Sequence, residues 1–342
     1  MIRPTIRVKR ILTAGTAVCL SALVLAACSS SSTSTPAVKR SSAPASMTVY
    51  MVTHACPSDA FWPPVFNGAQ DAASALGVDL HIIRFTSAQC GSIPAEVSNL
   101  ETAIDAHPGG IITTIPSATA FSSALHKAAS ESIPVIAVNT VPHDNSQSVN
   151  PYLAYVGQSN YQAGIGAGNE AISEFHLAKG ATVAIVDHEP FNISLTSREQ
   201  GIESAFNSAG VKYTIVNTTD NPSAGASTVQ AFITVHPTVT TYLSLGTTGT
   251  TQIVTALQQV GKLKKINVGG FDLDSATLHY IQQGEVRFTV DQQPFLQGYD
   301  SVEELYLLHQ YGVAPENIST GPAYLTAENI ASVGKYVNET GF

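Results

Sequence analysis

From residue 47 onward the chain alternates between short β-branched apolar runs and longer stretches of helical length. The runs are 47–53 (MTVYMVT), 78–84 (VDLHIIR), 110–115 (GIITTI) and 134–139 (PVIAVN). A second series follows at 182–187 (TVAIVD), 212–217, 241–245, 266–270 and 286–290. Between them lie segments such as 63–76, 92–106, 117–130, 160–176, 194–209, 247–261 and 294–311. Nearly continuous apolar strands are those covered on both faces, as in parallel sheets. Strand and helix in alternation imply right-handed βαβ units. The pattern runs twice, with a polar break at 143–151 (HDNSQSVNP), so it predicts an α/β chain of two doubly wound parallel-sheet lobes. A helix at 294–311 and an irregular stretch, 313–325, are left over after the last strand of the second series. They imply that the chain crosses back. The expected lobes are 47–153 plus 293–321 and 154–292 plus 322–342, joined by a multi-strand hinge with a cleft between them.

Composition narrows the class. Of 342 residues 44% are apolar and 12% charged, ample for large cores and too apolar for intrinsic disorder. The net charge is −9 with no basic patch, which speaks against a nucleic-acid partner. The first ten residues carry Arg3, Arg7, Lys9 and Arg10, and 11–26 are almost wholly apolar or small. That is the layout of a secretory leader, too short for a membrane span. It ends in Leu25-Ala26-Ala27-Cys28, which resembles the bacterial lipobox, where cleavage precedes a Cys that is then lipidated. Residues 1–27 are therefore expected to be a lipoprotein signal, and Cys28 a lipid anchor. Residues 28–46, rich in Ser and Thr, read as a tether. Removing the leader takes the net charge from −9 to −13. The expected location is the outer face of the bacterial cytoplasmic membrane, with a lipid anchor as the sole membrane contact.

Cys56 and Cys90 remain once Cys19 leaves with the leader and Cys28 becomes the anchor. In an oxidising compartment they are either a disulfide or two separate thiols. Both follow predicted strands by a few residues, so both fit one sheet end. A bridge closing such a loop is worth about 3–4 kcal/mol in the entropy model.

In open α/β sheets ligands bind beyond the carboxyl ends of the strands. After the first strand come His54 and then Asp59, Phe61 and Trp62. An aromatic ring can cover the C–H face of a sugar; the alternative is that the pair only packs its helix. After the fourth strand comes Asn139-Thr140. The second lobe offers Asp187-His188-Glu189-Pro190-Phe191-Asn192, then Arg198, Phe271-Asp272 and Asp291-Gln292. Planar Asn, Asp, Gln and Arg groups form paired hydrogen bonds to adjacent hydroxyls.

With these residues in view, the chain resembles the ribose-binding-like sugar-binding proteins of bacterial ABC importers, of the type I periplasmic binding protein family. The resemblance covers nearly all of 47–342. It is carried by THACPSDAFWPPVFNGAQDAASALGV (53–78), IPVIAVNT (133–140), AYVGQSNYQAGIGAGNEA (154–171), DHEPFNISLTSREQGIESAF (187–206), GGFD (269–272) and DQQPFLQGYDSV (291–302). It implies a hydroxyl-binding role for Asp59, stacking by Phe61 and Trp62, and cleft contacts from Asn139, Asn192, Arg198, Asp272 and Gln292. Asn139-Thr140 replaces the Asp-Arg pair of ribose-binding members, which removes a fork donor and argues against ribose. His54, His188 and Glu189 either touch the ligand or only shape their loops.

Nucleotide-binding, serine-hydrolase and zinc-protease motifs are absent from the sequence. Gly164, Gly166 and Gly168 do not follow a strand and suit close helix packing. Asp272-x-Asp274 lacks a calcium-loop pattern. No enzyme, metal or cofactor is expected. The implied function is capture of a small neutral sugar or polyol by hinge closure, by a monomer that delivers it to an ABC permease. The alternative is a sensor signalling to a membrane receptor. Truncating Trp62 is expected to cost affinity while leaving the fold intact.

Overall fold

The computed structural model describes residues 46–117, 119–142, 150–333 and 337, all within one compact unit that begins at Pro44. The leader, Cys28, the tether up to residue 45, most of the polar break and the last five residues lie outside the described residues. Among the described residues no helix is long and apolar enough to cross a membrane.

The first sheet contains β1 (Thr48–Val52), β2 (Asp79–Ile83), β3 (Gly110–Thr113), β4 (Val135–Val138) and β5 (Ala154–Gly157). The second contains β6 (Thr182–Asp187), β7 (Lys212–Asn217), β8 (Thr241–Ser244), β9 (Asn267–Phe271) and β10 (Phe288–Asp291). Two short late strands complete them: β11 (Ile318–Ser319) joins the first sheet beside β5 and β12 (Ala323–Thr326) joins the second beside β10. The orders are β11-β5-β4-β3-β1-β2 and β12-β10-β9-β8-β6-β7. All pairings are parallel except β10 with β12. The central strands GIIT, VIAV and TYLS are buried at every position, because helices cover both faces. The edge strands DLHII and KYTIVN alternate between exposed and half-buried positions, with Val216 alone buried.

Nine helices lie among the described residues. In the first lobe α1 (Trp62–Leu76) packs on one face, and α2 (Ile93–Asp105) and α3 (Ser122–Ser130) on the other. In the second, α4 (Asn160–Glu174) and α5 (Ile193–Ala209) cover one face. There α6 (Pro222–Val235), α7 (Thr247–Gln259) and α8 (Ser275–Gln282) cover the other. The last, α9 (Pro294–Tyr311), returns to the first lobe and lies on α1. That contact needs glycine on both sides: a Cβ on Gly68 would overlap the Phe295 carbonyl, and one on Gly298 the Val65 carbonyl.

The boundary expected after residue 153 falls a few residues later. Ala154–Gly157 pairs with β4 in the first sheet, and the chain crosses at 158–159. AYVG is a short apolar run that either sheet could accept, and the free edge of β4 takes it. The chain crosses again at 292–293 and at 320–322, so the described residues form three crossings between the lobes. Helices α6 and α8 were not singled out by the pattern. Both begin at a side-chain cap, Asn221 bonding the Ala224 N–H and Asp274 the Thr277 N–H. The second of these gives Asp274 its role in the Asp-x-Asp pair.

Candidate ligand-binding cleft

Each lobe presents the carboxyl ends of its strands to the other. The two sheets have equivalent orders, so β4 corresponds to β9 and β5 to β10. Asn139, just past β4, and Asp272, just past β9, both adopt positive φ, at 61° and 69°. Asn and Asp tolerate this left-handed region better than most residues. The turn aims both side chains into the interface between the lobes.

A polar chain runs through these positions. The Arg198 Nε donates to Asn160 Oδ1 at 2.9 Å, and its Nη1 donates to the Leu245 carbonyl at 2.6 Å and to Asp272 Oδ2 at 3.1 Å. The guanidinium also lies 4.8 Å from the centre of the Phe271 ring. Asp272 Oδ1 accepts from Gln292 Nε2 at 2.6 Å. Gln292 Oε1 in turn accepts from Asn139 Nδ2 at 3.1 Å, which carries the network from the second lobe to the first. Gln297, on α9, donates to Gln292 Oε1 and accepts from Asn139 Nδ2. Sequence reasoning did not single out Gln297. Its only local signal is a polar residue on the buried face of α9.

On the first lobe, Asp59 Oδ1 accepts from the Phe61 N–H at 3.0 Å and, across the cleft, from Thr247 Oγ1 at 3.2 Å. Phe61 and Trp62 stand edge to face with centroids 5.2 Å apart, and His54 meets Trp62 edge-on at 4.9 Å. Both aromatics belong to the first lobe's core, with Trp62 only 2% exposed. The two readings of this pair therefore hold together: the rings pack the helix and also line the cleft. Truncating Trp62 would open the core at a cost of about 3–5 kcal/mol, so it does not separate affinity from folding.

On the second lobe, Asn192 caps α5 by accepting from the Ser194 N–H. Its Nδ2 bonds Glu189 Oε2 at 2.7 Å and, across the cleft, His54 Nε2 at 3.2 Å. Beneath His54, Thr114 Oγ1 accepts the His54 N–H and donates to the buried Glu96. Burial holds the Glu96 carboxyl well above the usual carboxylate range.

Closure shapes the electrostatics. Burial pushes His54 and His188 down to about 3, so both are neutral at pH 7. Loss of hydration raises Asp59 to about 7, assisted by the charges of Asp272 and Asp220 and opposed by its bonds from Phe61 and Thr247. Glu189 is held well above its ordinary range by burial and by Asp220 and Asp59. Asp220 is raised to about 6 by burial and accepts a hydrogen bond from the protonated Glu189. Asp272 is raised by burial, against the pull of Arg198 and Gln292. His188, Glu189 and Asp220 bring potential ligand atoms within 4.8 Å of one another. Within this group Glu189 and Asp220 share a proton, while the His188 imidazole is neutral and its Nδ1 is buried without a hydrogen-bond partner.

All eleven residues singled out in the sequence, the eight assigned and the three ambiguous, line one small pocket of about 20 Å³. Leu195 and Thr247 join them, neither foreseen. Both sit on helices whose first turns face the cleft. Cys56 and Cys90 are joined, with Cα atoms 5.3 Å apart, in the loops that follow β1 and β2.

The family of periplasmic binding protein domains matches residues 49–312. The chain belongs to the periplasmic binding protein family. It is 31% identical over 285 residues to the xylose/arabinose-binding protein of Sulfolobus acidocaldarius, covering 79% of this chain and 69% of that one. A periplasmic sugar-binding protein of an ABC sugar transporter from Legionella pneumophila is 33% identical. The alignment covers 80% of this chain and 99% of that one, with a TM-score of 0.73. A carbohydrate transporter protein from Acidothermus cellulolyticus, solved with myo-inositol, is 26% identical with a TM-score of 0.77, covering 87% and 100%. Membership accords with the fold expected from the strand pattern. It also places the chain among substrate-binding proteins of ABC transporters, which are not enzymes.

Proposed function

We propose that this chain captures a small neutral sugar or polyol between its lobes, as a lipid-anchored protein, and hands it to an ABC permease. The observation that carries the ligand class is the chemistry of the cavity lining. Among the described residues that line it, Arg198 is the one cation and is paired with Asp272, while Asp59 and Glu189 add carboxyls. An anionic ligand such as a sugar acid would find no free positive charge in this lining. Neutral hydroxyls suit a lining of Asn, Gln, Asp and Arg beside an aromatic pair. The relatives at 31% and 33% identity are described as pentose-binding and sugar-binding, which supports pentoses as first candidates and cyclitols next.

The space left in the pocket, about 20 Å³, is of the order that holds about one water molecule. A sugar therefore enters with the lobes apart and is held by contacts from both, which is what favours the closed form. Closure brings together surfaces of the two lobes that a permease can read. The anchor reading rests on Leu25-Ala26-Ala27-Cys28 after a charged and then apolar leader.

Trp62 is the only tryptophan in the sequence, so its fluorescence reports one place. Titration of the protein starting after Cys28 with arabinose, xylose, myo-inositol, hexoses and a sugar acid tests the reading, with thermal shift in parallel. A saturable change with a neutral sugar or cyclitol and none with the acid is expected. Silence in both readouts across the neutral panel, or binding confined to the acid, would overturn it.

A further inference from the structure

The Cys56–Cys90 disulfide lies inside one lobe, yet the other lobe touches it from two directions. The turn 86–92 follows β2, and the loop holding Cys56 follows β1. The turn has little core of its own, with Thr86, Ser87 and Ala88 exposed. It is shaped by internal bonds, Gln89 N–H to the Thr86 carbonyl and Ser92 N–H to the Gln89 carbonyl, both 2.9 Å. The bond to the buried Cys56 fixes its position. Gly91 stands in this turn at φ 71°, and a Cβ there would come within 3.0 Å of Phe191 Cζ. Phe191 belongs to the second lobe, projected by the turn in which the Asn192 N–H bonds the Glu189 carbonyl at 2.8 Å. It remains 47% exposed, and the tip of its ring rests on Gly91. On the other cysteine, Asp220 Oδ2 of the second lobe lies 3.8 Å from Cys56 Sγ.

The position of this contact in the topology gives it leverage. The three crossings attach near β5, β10, β11 and β12, at one end of both strand orders. The turn 86–92 follows β2 and Asp220 follows β7, the strands at the opposite ends of those orders. When two lobes rotate about a hinge, the greatest displacement is at the edge farthest from it. A contact there opposes opening with the longest lever arm.

We infer that Phe191 and the disulfide-tied Gly91 turn form a clasp that holds the cleft closed, so that the ligand's residence time depends on the Cys56–Cys90 bond. The inference rests on the reading that the ligand sits between the lobes. Phe191 acts through closure and lies outside the residues lining the cavity. Its removal therefore changes the off-rate and leaves the order of ligand preference as it was.

The test is stopped-flow release of the best-bound neutral sugar from four proteins: wild type, Phe191→Ala, the double variant Cys56→Ser/Cys90→Ser, and the triple combination. Phe191→Ala is expected to raise koff about fivefold to tenfold with kon nearly unchanged. The disulfide-less protein should show a similar rise, and the triple variant little more, because the two changes break one device. Wild-type koff in Phe191→Ala, or independent multiplication of the two effects, would overturn the clasp. If the serine variant does not fold, wild-type protein reduced in native buffer, with its melting curve recorded, replaces it. If no sugar binds at all, the ligand reading fails separately. The clasp is then read from distances between spin labels on the two lobes. Widening in Phe191→Ala supports it and an unchanged distribution refutes it.

Discussion

Arg198 shows how much one side chain can be asked to do. It is 3% exposed and bonds Asn160, the Leu245 carbonyl and Asp272, which is itself buried. Removing one partner of a buried ion pair leaves an uncompensated charge and costs about 3–5 kcal/mol, whereas replacing both by apolar groups is often neutral. Arg198→Met is therefore expected to lower the thermal stability of the second lobe sharply. Adding Asp272→Asn removes the orphaned carboxylate charge and keeps a residue that tolerates the positive φ, so it should restore part of that loss while binding stays lost. Chemical denaturation of the two variants checks this; equal stability of Arg198→Met and wild type would contradict the account. The sequence marked Arg198 and Asp272 separately, each among residues that follow a strand of the second lobe. It could not show that each is the other's partner, because 74 residues separate them.

At the scale of elements, the packing of α4 on α5 sets where Arg198 lies. A Cβ on Gly201 would overlap the Tyr161 carbonyl, and one on Gly164 the Arg198 carbonyl. Gly168 meets Ala205 in the same seam, while Gly166 makes room for the Tyr324 hydroxyl. The glycine run read as a close-packing device is one, and the Gly of the R-x-x-G pattern is its counterpart on the facing helix. Backbone atoms cannot step aside as a flexible side chain can. Gly201→Ala should thus cost about 1–3 kcal/mol or more by overpacking. It should also weaken sugar binding, since Arg198 is one turn away on the same helix. A melting curve and a titration of the same variant test both parts; lowered stability with unchanged affinity would separate the seam from the site.

For the whole molecule, closure is linked to protons. Asp59 and Glu189 have raised values in the closed cleft, about 7 for Asp59, against about 4 for solvated carboxyls. The Asp59 contribution to closure is complete below about pH 4 and is lost as pH rises through about 7, and that of Glu189 has the same sign. His54 and His188 are lowered to about 3 from an ordinary value near 6.5. Their contribution is present above about 6.5 and is lost as pH falls. The two oppose each other between about 4 and 6.5. Above that window the carboxyls act alone, so sugar affinity should fall from pH 6.5 to 8. Calorimetry in buffers of different ionisation enthalpy should show proton uptake on binding at pH 6.5–7. Proton release there would be inconsistent with carboxyls closing into the cleft.

The amino-acid sequence by itself determined the repeated strand–helix pattern, the two lobes and the strand-end residues that line the cavity. These are local properties: period and β-branching report burial within an element, and the parallel topology fixes which strand ends face the cleft. Tertiary structure decided the rest. It assigned AYVG to the first sheet, and it brought Gln297 and Thr247 to the cleft from helices with no distinguishing motif. It also set Phe191 against Gly91 and made Phe61 and Trp62 both core and lining. Each of these depends on which surface of a distant element is left free to be covered. Closure of the whole chain selects that partner, and no local pattern encodes it.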